Sequence, residues 1–144
     1  MRRADGSPAY AGIRAVRDAI ADGEAETSAT VHLVDDEPDA GAPIVRSWSY
    51  PVSPLVTRAR AWHALDMVKA YAYAHQEWMI RDASGPLLSA TLALVADGRV
   101  DLDDLGARDA ASVRPWHVDE HGRMTPPASA RMHDILHGYQ RVRA

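Results

Sequence analysis

Residues 53–85 read SPLVTRARAWHALDMVKAYAYAHQEWMIRDASG and decide the fold, because they carry the signals of one long helix. Ser53 can cap the first free backbone N–H groups. Pro54 suits the first helical position, where its missing donor costs nothing. Gly85, which is followed by proline, supplies a stop signal. The stretch therefore predicts a long central helix over about residues 54–83.

Apolar side chains form two stripes on this helix when residues are placed at 100° intervals. The broader stripe comprises Leu65, Val68, Ala72 and Met79. The narrower stripe, nearly opposite, comprises Leu55, Trp62, Tyr73 and Ile80. Two apolar stripes need two neighbours, so the second stripe is predicted to contact a partner chain. The alternative is a kink or an early end, because an unbroken helix of roughly 43 Å would exceed the diameter of a compact domain this size.

The composition is that of one globular domain over residues 1–144. Hydrophobic residues make up 47% of the chain and charged residues 25%, which are ordinary values for a folded protein. The absence of Cys excludes disulfides, thiolate nucleophiles and Cys-ligated zinc. A net charge of −4 argues against a nucleic-acid surface.

The chain gives no sign of export or of a membrane span. Its longest uncharged run, residues 83–96, is about fourteen residues long, whereas a bilayer helix needs roughly eighteen or more. We therefore expect a soluble cytoplasmic protein without a membrane partner.

Two further segments are predicted before the long helix. Ser7 and Pro8 begin a first helix, Gly23 ends it, and four apolar residues form its buried stripe. That stripe comprises Tyr10, Ile13, Val16 and Ile20. Residues 30–34 and 44–50 are typical of strands, and the linker between them predicts an antiparallel pair.

Residues 86–98 allow two interpretations. Their Ala and Leu content favours a buried helix that ends at Gly98, and the alternative is a strand that turns at Asp97 and Gly98. Asp101 then caps a short helix that runs to about residue 113.

The end of the chain predicts a second hairpin and a last helix. Gly122 suits the left-handed position of a turn within residues 113–126, and residues 128–143 predict a C-terminal helix. The predicted fold class is thus α+β and mainly helical, with a long central helix and two short β-hairpins.

His75 lies in the middle of the broad apolar stripe and is a weak catalytic candidate. Burial would lower its pKa, as in many acid–base residues. The alternative is a buried structural histidine with one hydrogen-bond partner. The aromatic residues predicted to line a ligand pocket with it are Trp62, Tyr71, Tyr73 and Trp78.

Four other histidines have spacings that suit a metal ion. His133 and His137 stand four residues apart on a predicted helix and resemble the zincin motif, with Asp in place of Glu. His117 and His121 match the letters of the inverted zincin motif. We expect these histidines to be solvent-exposed and to hold no cofactor, and a site for zinc or another divalent metal is the alternative.

Residues 35–39 contain an acidic cluster that could hold a hard cation. The cluster comprises Asp35, Asp36, Glu37 and Asp39. Carboxylate oxygens are the ligands that such cations prefer. The simpler interpretation is a solvated loop.

Residues 92–108, LALVADGRVDLDDLGAR, loosely resemble the first two helices of a winged helix-turn-helix, and VDEHGRM at 118–124 resembles its wing. The resemblance implies DNA binding. However, the thirteen residues from 102 to 114 leave no room for a recognition helix, and the region is acidic. Nucleic acid is therefore not the expected partner.

The sequence contains no complete catalytic set. We therefore predict a small non-enzymatic protein-interaction or regulatory domain that forms a homo-oligomer through the narrower stripe of the long helix. The first alternative is a metal-binding protein or small hydrolytic enzyme that uses the C-terminal histidines. The second is a winged-helix-like DNA-binding regulator.

Overall fold

The computed structural model describes residues 9–36 and 39–127. Its elements in chain order are α1 (Ala15–Asp22), β1 (Glu26–Thr27), β2 (Thr30–His32), β3 (Pro43–Arg46), β4 (Tyr50–Pro51), α2 (Pro54–Ala61), α3 (Leu65–Ala96), α4 (Leu102–Ala107), β5 (Trp116–Val118) and β6 (Met124–Thr125). The predicted fold class, α+β and mainly helical with a long central helix, is confirmed.

The long helix is broken at one end of the predicted range. Ser53 caps α2 as expected, but α2 ends at Ala61. His63 has a left-handed backbone with φ of 55°, and the N–H of Ala64 donates to the carbonyl of Ala59 at 2.9 Å. This is a Schellman-type ending in which a histidine takes the position usually held by glycine. The prediction of one helix over residues 54–83 was therefore wrong at its start.

The same helix continues past its predicted end. Helix α3 is 32 residues long and contains Pro86, so Gly85 and Pro86 do not stop it. A proline in a helix interior costs about 3 kcal/mol. Burial of Leu87 and Leu94 contributes roughly 1.5–3 kcal/mol for each side chain, which is enough to offset that cost. The helical interpretation of residues 86–98 is confirmed. No helix in the described part of the chain is long and apolar enough to span a bilayer.

The strands form two small sheets. The larger has the order β2-β3-β5-β6, and the smaller pairs β1 with β4. The antiparallel pairing of β2 with β3 and the β5–β6 hairpin are as predicted, and Gly122 has φ of 77° in the hairpin turn. The parallel pairing of β3 with β5, in which Val45 lies opposite Trp116, was not predicted. The β5–β6 hairpin, which resembled the wing of a winged helix, is therefore part of the larger sheet.

Helix α3 contributes to two hydrophobic clusters. Val68 and Ala72, in its first half, pack with buried residues of α1 and α2. From Met79 onward, Met79, Leu87 and Leu94 pack against the larger sheet. One helix thus connects the helical part of the fold to the sheet.

The remaining helices are shorter than predicted. Helix α1 begins at Ala15, because Gly12 adopts a left-handed φ of 75° and precedes a turn. Ile13 is consequently 87% exposed instead of buried. Asp101 caps α4 as predicted, through bonds from the N–H groups of residues 103 and 104, but α4 ends at Ala107. The predicted start at residues 7–8 and the C-terminal helix at 128–143 lie outside the described residues.

The narrower apolar stripe does not exist as one face. The break at residues 62–64 separates Leu55, on α2, from Tyr73 and Ile80, on α3. Its four members, Leu55, Trp62, Tyr73 and Ile80, are all exposed in the single chain. A homo-oligomer remains a prediction, but it has lost the continuous helical surface from which it was inferred.

We expect Leu94→Ala to lower the free energy of unfolding by about 2–5 kcal/mol, because Leu94 is fully buried between α3 and the sheet and its loss leaves a cavity. Leu92→Ala is the matched control. Leu92 lies on the same helix and is 62% exposed, so its replacement should change stability by no more than about 0.5 kcal/mol. Urea denaturation measures both. Equal effects would contradict the packing described for the second half of α3.

Candidate functional site

A hydrogen-bonded pair, His32 and Asp39, lies where β2 leads into the following loop. The His32 Nε2 atom is 3.1 Å from Oδ1 of Asp39. The other ring nitrogen, Nδ1, is 2.9 Å from the backbone carbonyl of Leu33. The second carboxylate oxygen of Asp39 accepts a hydrogen bond from the backbone N–H of Gly12. Each of the four polar atoms of the pair is therefore held by a partner.

The bonding pattern fixes where protons lie in this pair. A carbonyl oxygen can only accept, so Nδ1 of His32 must carry a hydrogen. The Asp39 carboxylate also accepts, so the Nε2 bond requires a second hydrogen between the two side chains. One hydrogen therefore lies between Nε2 of His32 and Oδ1 of Asp39.

The backbone of the loop holds Asp39 in an uncommon conformation. Asp39 has φ of 61°, in the left-handed region that non-glycine residues seldom adopt. The N–H of Leu33 donates to the carbonyl of Ala42 at 2.9 Å and closes the loop. At Gly41 an added Cβ would overlap the carbonyl oxygen of Leu33, so the two backbone segments touch. The close approach at Gly41 brings Asp39 back to His32.

Stability alone does not account for this arrangement. The side chains of His32 and Asp39 are 26% and 40% exposed, and ion pairs this exposed stabilise a fold by less than about 1 kcal/mol. A non-glycine residue in a sparsely populated backbone region costs roughly 1–3 kcal/mol. The ion pair alone therefore contributes little net stability to the loop. Such strain is typical of functional sites.

The pair opens into a cavity of about 630 Å³, a size suited to a small-molecule substrate. Met79 and Ile80 of α3 contribute apolar surface to its lining, and Arg46 and Arg114 contribute positive charge. Tyr10 also lines the cavity. Burial and the carboxylates of Glu24 and Asp22 raise the pKa of Tyr10 to about 12. Its hydroxyl, which donates to Glu24 at 3.1 Å, therefore stays protonated.

His75 lies elsewhere, buried at 3% exposure. Its Nε2 is 2.8 Å from Oγ1 of Thr27, and its Nδ1 is 3.3 Å from the hydroxyl of Tyr71. The predicted burial is confirmed, and desolvation lowers the pKa of His75. The ring has two partners where one was predicted. Its catalytic role stays a prediction.

The predicted aromatic neighbours of His75 divide into two groups. Tyr71 stacks on the imidazole with ring centroids 5.6 Å apart, and Trp78 meets it edge-on at 5.5 Å. Trp62 and Tyr73 are exposed, because Trp62 lies in the link between α2 and α3 and Tyr73 is on the outer side of α3. The structure therefore brings together only half of the predicted pocket.

The histidines with metal-like spacing are not assembled in the described residues. His117 lies on β5 and is exposed, whereas His121 follows in the hairpin turn, 3.7 Å from Glu120. His133 and His137 lie outside the described residues. Within residues 9–36 and 39–127, no group of three or more His, Asp or Glu side chains could hold a metal ion. Asp36 is exposed, and Asp39 of the same acidic cluster bonds to His32 instead.

A family model described as formyl transferase matches residues 7–73 of the chain, just under half of its length. The matched segment includes both His32 and Asp39. No curated protein and no solved structure matches the chain. Because the matched family is one of enzymes, the match overturns the prediction of a non-enzymatic protein-interaction or regulatory domain.

Sequence reasoning missed His32 entirely and placed Asp39 in a solvated acidic loop. The signal that could have found them is a histidine at the end of a strand, followed seven residues later by a carboxylate and then by Gly41. Glycine allows one backbone segment to approach another closely, so Gly41 marks a position where the loop could do so. That approach is what folds the loop back onto the strand.

We expect Gly41→Ala to destabilise the protein by about 1–3 kcal/mol or more, because the new methyl group meets backbone atoms that cannot rotate away. Gly85→Ala is the control with the opposite sign. Gly85 lies within α3 with open space at its Cβ position, so alanine should raise the free energy of unfolding by roughly 0.5–1 kcal/mol. Denaturant unfolding distinguishes the two. A neutral Gly41→Ala would mean that the loop is not closed as described.

We expect the stability of the protein to fall as the pH drops below about 6.5, partly through His75. Burial lowers the pKa of His75 in the folded state, so the unfolded chain binds a proton first. This contribution is present above the unfolded pKa and is lost as the pH falls toward the folded pKa. His75→Gln should therefore show a smaller loss of unfolding free energy than the wild type between about pH 7.5 and pH 5. His117→Gln, on an exposed histidine, should follow the wild-type curve.

Proposed function

We propose that the protein transfers a formyl group from a donor to an acceptor nucleophile, with His32 and Asp39 at the reacting centre. The observation that carries this proposal is that the pair lies within the segment matched by the formyl transferase family. Its strained loop and its position at a cavity of substrate size support the same assignment.

Formyl transfer to an amine has simple proton requirements. The acceptor nitrogen forms a bond to the formyl carbon, and the bond from that carbon to the donor breaks. The acceptor loses a proton on becoming an amide, and the leaving atom of the donor gains one. A group that takes up the first proton and returns the second, within reach of both atoms, would accelerate the reaction roughly 10²–10⁴-fold.

Asp39 has the capacity for this transfer. A carboxylate has two oxygens and about four lone-pair positions, so bonds to His32 and Gly12 leave room for a proton from the acceptor. His32 holds the carboxylate in place, because its own ring is fixed by the carbonyl of Leu33.

The cavity favours a substrate with an anionic part. Arg46 and Arg114 line it, and neither forms an ion pair with a carboxylate in the described part of the chain. Met79 and Ile80 would contact an apolar portion of the substrate. The cytoplasmic location and the homo-oligomer expected from the sequence stay predictions alongside this function.

The test uses a small-molecule extract of bacteria fed carbon-13-labelled formate. The extract supplies labelled formyl donors and natural acceptors, so neither has to be identified beforehand. We expect the wild-type protein to move the label into new formyl C–H signals in the NMR spectrum. His32→Asn and Asp39→Asn should slow this transfer about 10²–10⁴-fold, because the proton relay is removed.

Asp36→Asn is the matched control, since Asp36 is exposed in the same loop and does not join the pair. It should transfer formyl groups at the wild-type rate. An extract left unchanged by the wild-type protein would contradict formyl transfer. Transfer that survives Asp39→Asn undiminished would contradict the role of the pair.

A further inference from the structure

A second cleft, separate from the His32–Asp39 pair, lies between strand β4 and helix α3. It has a volume of about 360 Å³. Its lining includes Trp48, Tyr50, Trp78, Asp82 and Glu120. This size is near the lower end of the range for small-molecule pockets, so the cleft suits a compact ligand.

Aromatic rings form the walls of this cleft. The ring of Tyr50 lies between two tryptophans, 5.4 Å from Trp48 and 5.0 Å from Trp78. Trp78 meets Tyr50 at 87° and is 48% exposed, so much of its indole remains open to solvent. Tyr50 is 1% exposed, so its ring is held in place between Trp48 and Trp78. Indole faces carry negative potential and attract cations.

The charges of the cleft have one sign. Asp82 and Glu120 line it, and its lining contains no Lys, Arg or His. The hydroxyl of Tyr50 donates to Oδ2 of Asp82 at 3.0 Å and holds this carboxylate at the cleft. No arginine or lysine forms an ion pair with Asp82 or Glu120 in the part of the chain that the structure describes, and Nε2 of His121 is 3.7 Å from Oε1 of Glu120. The two carboxylates are therefore not neutralised by arginine or lysine.

We infer that this cleft binds a small organic cation, of the class that carries a methylated ammonium group. Tryptophan faces favour a diffuse positive charge with apolar surface, which is the chemistry of a methylated ammonium. A bare metal ion would instead require several converging oxygen ligands, whereas this lining offers two carboxylates beside three aromatic side chains. The site does not depend on the formyl-transfer proposal, because none of its residues belongs to the His32–Asp39 cavity.

The test is calorimetric titration of the full-length protein with choline at constant ionic strength. We expect saturable binding. The neutral carbon analogue of choline, 3,3-dimethylbutan-1-ol, has nearly the same shape without the charge and should bind at least about tenfold more weakly. Trp78→Leu should weaken choline binding roughly 3- to 30-fold, since it removes one aromatic wall.

Two further variants keep the test independent of folding defects. Asp82→Asn preserves an acceptor for the hydroxyl of Tyr50 and removes only the charge. It should therefore weaken the binding of choline and leave the binding of the neutral analogue unchanged. Trp62→Leu removes a tryptophan that is 77% exposed and outside the cleft, and should bind choline as the wild type does. Absence of saturable choline binding, or equal binding of the neutral analogue, would overturn the inference.

Discussion

Burial of one helix against two separate hydrophobic clusters is the interaction on which the fold depends. The first half of α3 packs with α1 and α2, and the second half packs on the larger sheet. Neither sheet has many strands, and β1, β4 and β6 are two residues long. Short strands of this kind need a packed surface to be stable. Helix α3 provides that surface, and it also contributes Met79 and Trp78 to the two proposed ligand sites.

The larger sheet depends on a pairing between distant parts of the chain. Strands β3 and β5 are parallel, so the connection between them contains α2, α3 and α4. This crossover brings Arg114, which precedes β5, to the same cavity as His32 and Arg46. The cavity is therefore assembled from both ends of the described chain. The family match ends at residue 73 and covers only the earlier part of that assembly.

The sequence predicted those elements whose signals are local. The β2–β3 pair follows from alternation, the cap at Asp101 from a single side chain, and the burial of His75 from its place among apolar neighbours. Predictions failed where packing outweighed a local signal. Pro86 remains helical because Leu87 and Leu94 are buried beyond it, and His63 ends α2 in a position where glycine is expected.

The His32–Asp39 pair was harder to predict than the fold. His32 and Asp39 are seven residues apart, and neither alternation nor helical periodicity connects them. Their contact depends on a left-handed residue and on a glycine that allows two backbone segments to touch. Both are properties of the folded loop. The aromatic cleft was equally hidden, because Tyr50 and Asp82 come together only when β4 packs against α3.

The left-handed backbone of Asp39 has a consequence for how this position can evolve. Among non-glycine residues, Asn and Asp are the ones that enter this conformation most readily. Glycine and asparagine would therefore preserve the shape of the loop while removing its negative charge. A descendant with Asn or Gly at this position would therefore keep the fold and lose the carboxylate to which we assign the proposed proton transfer.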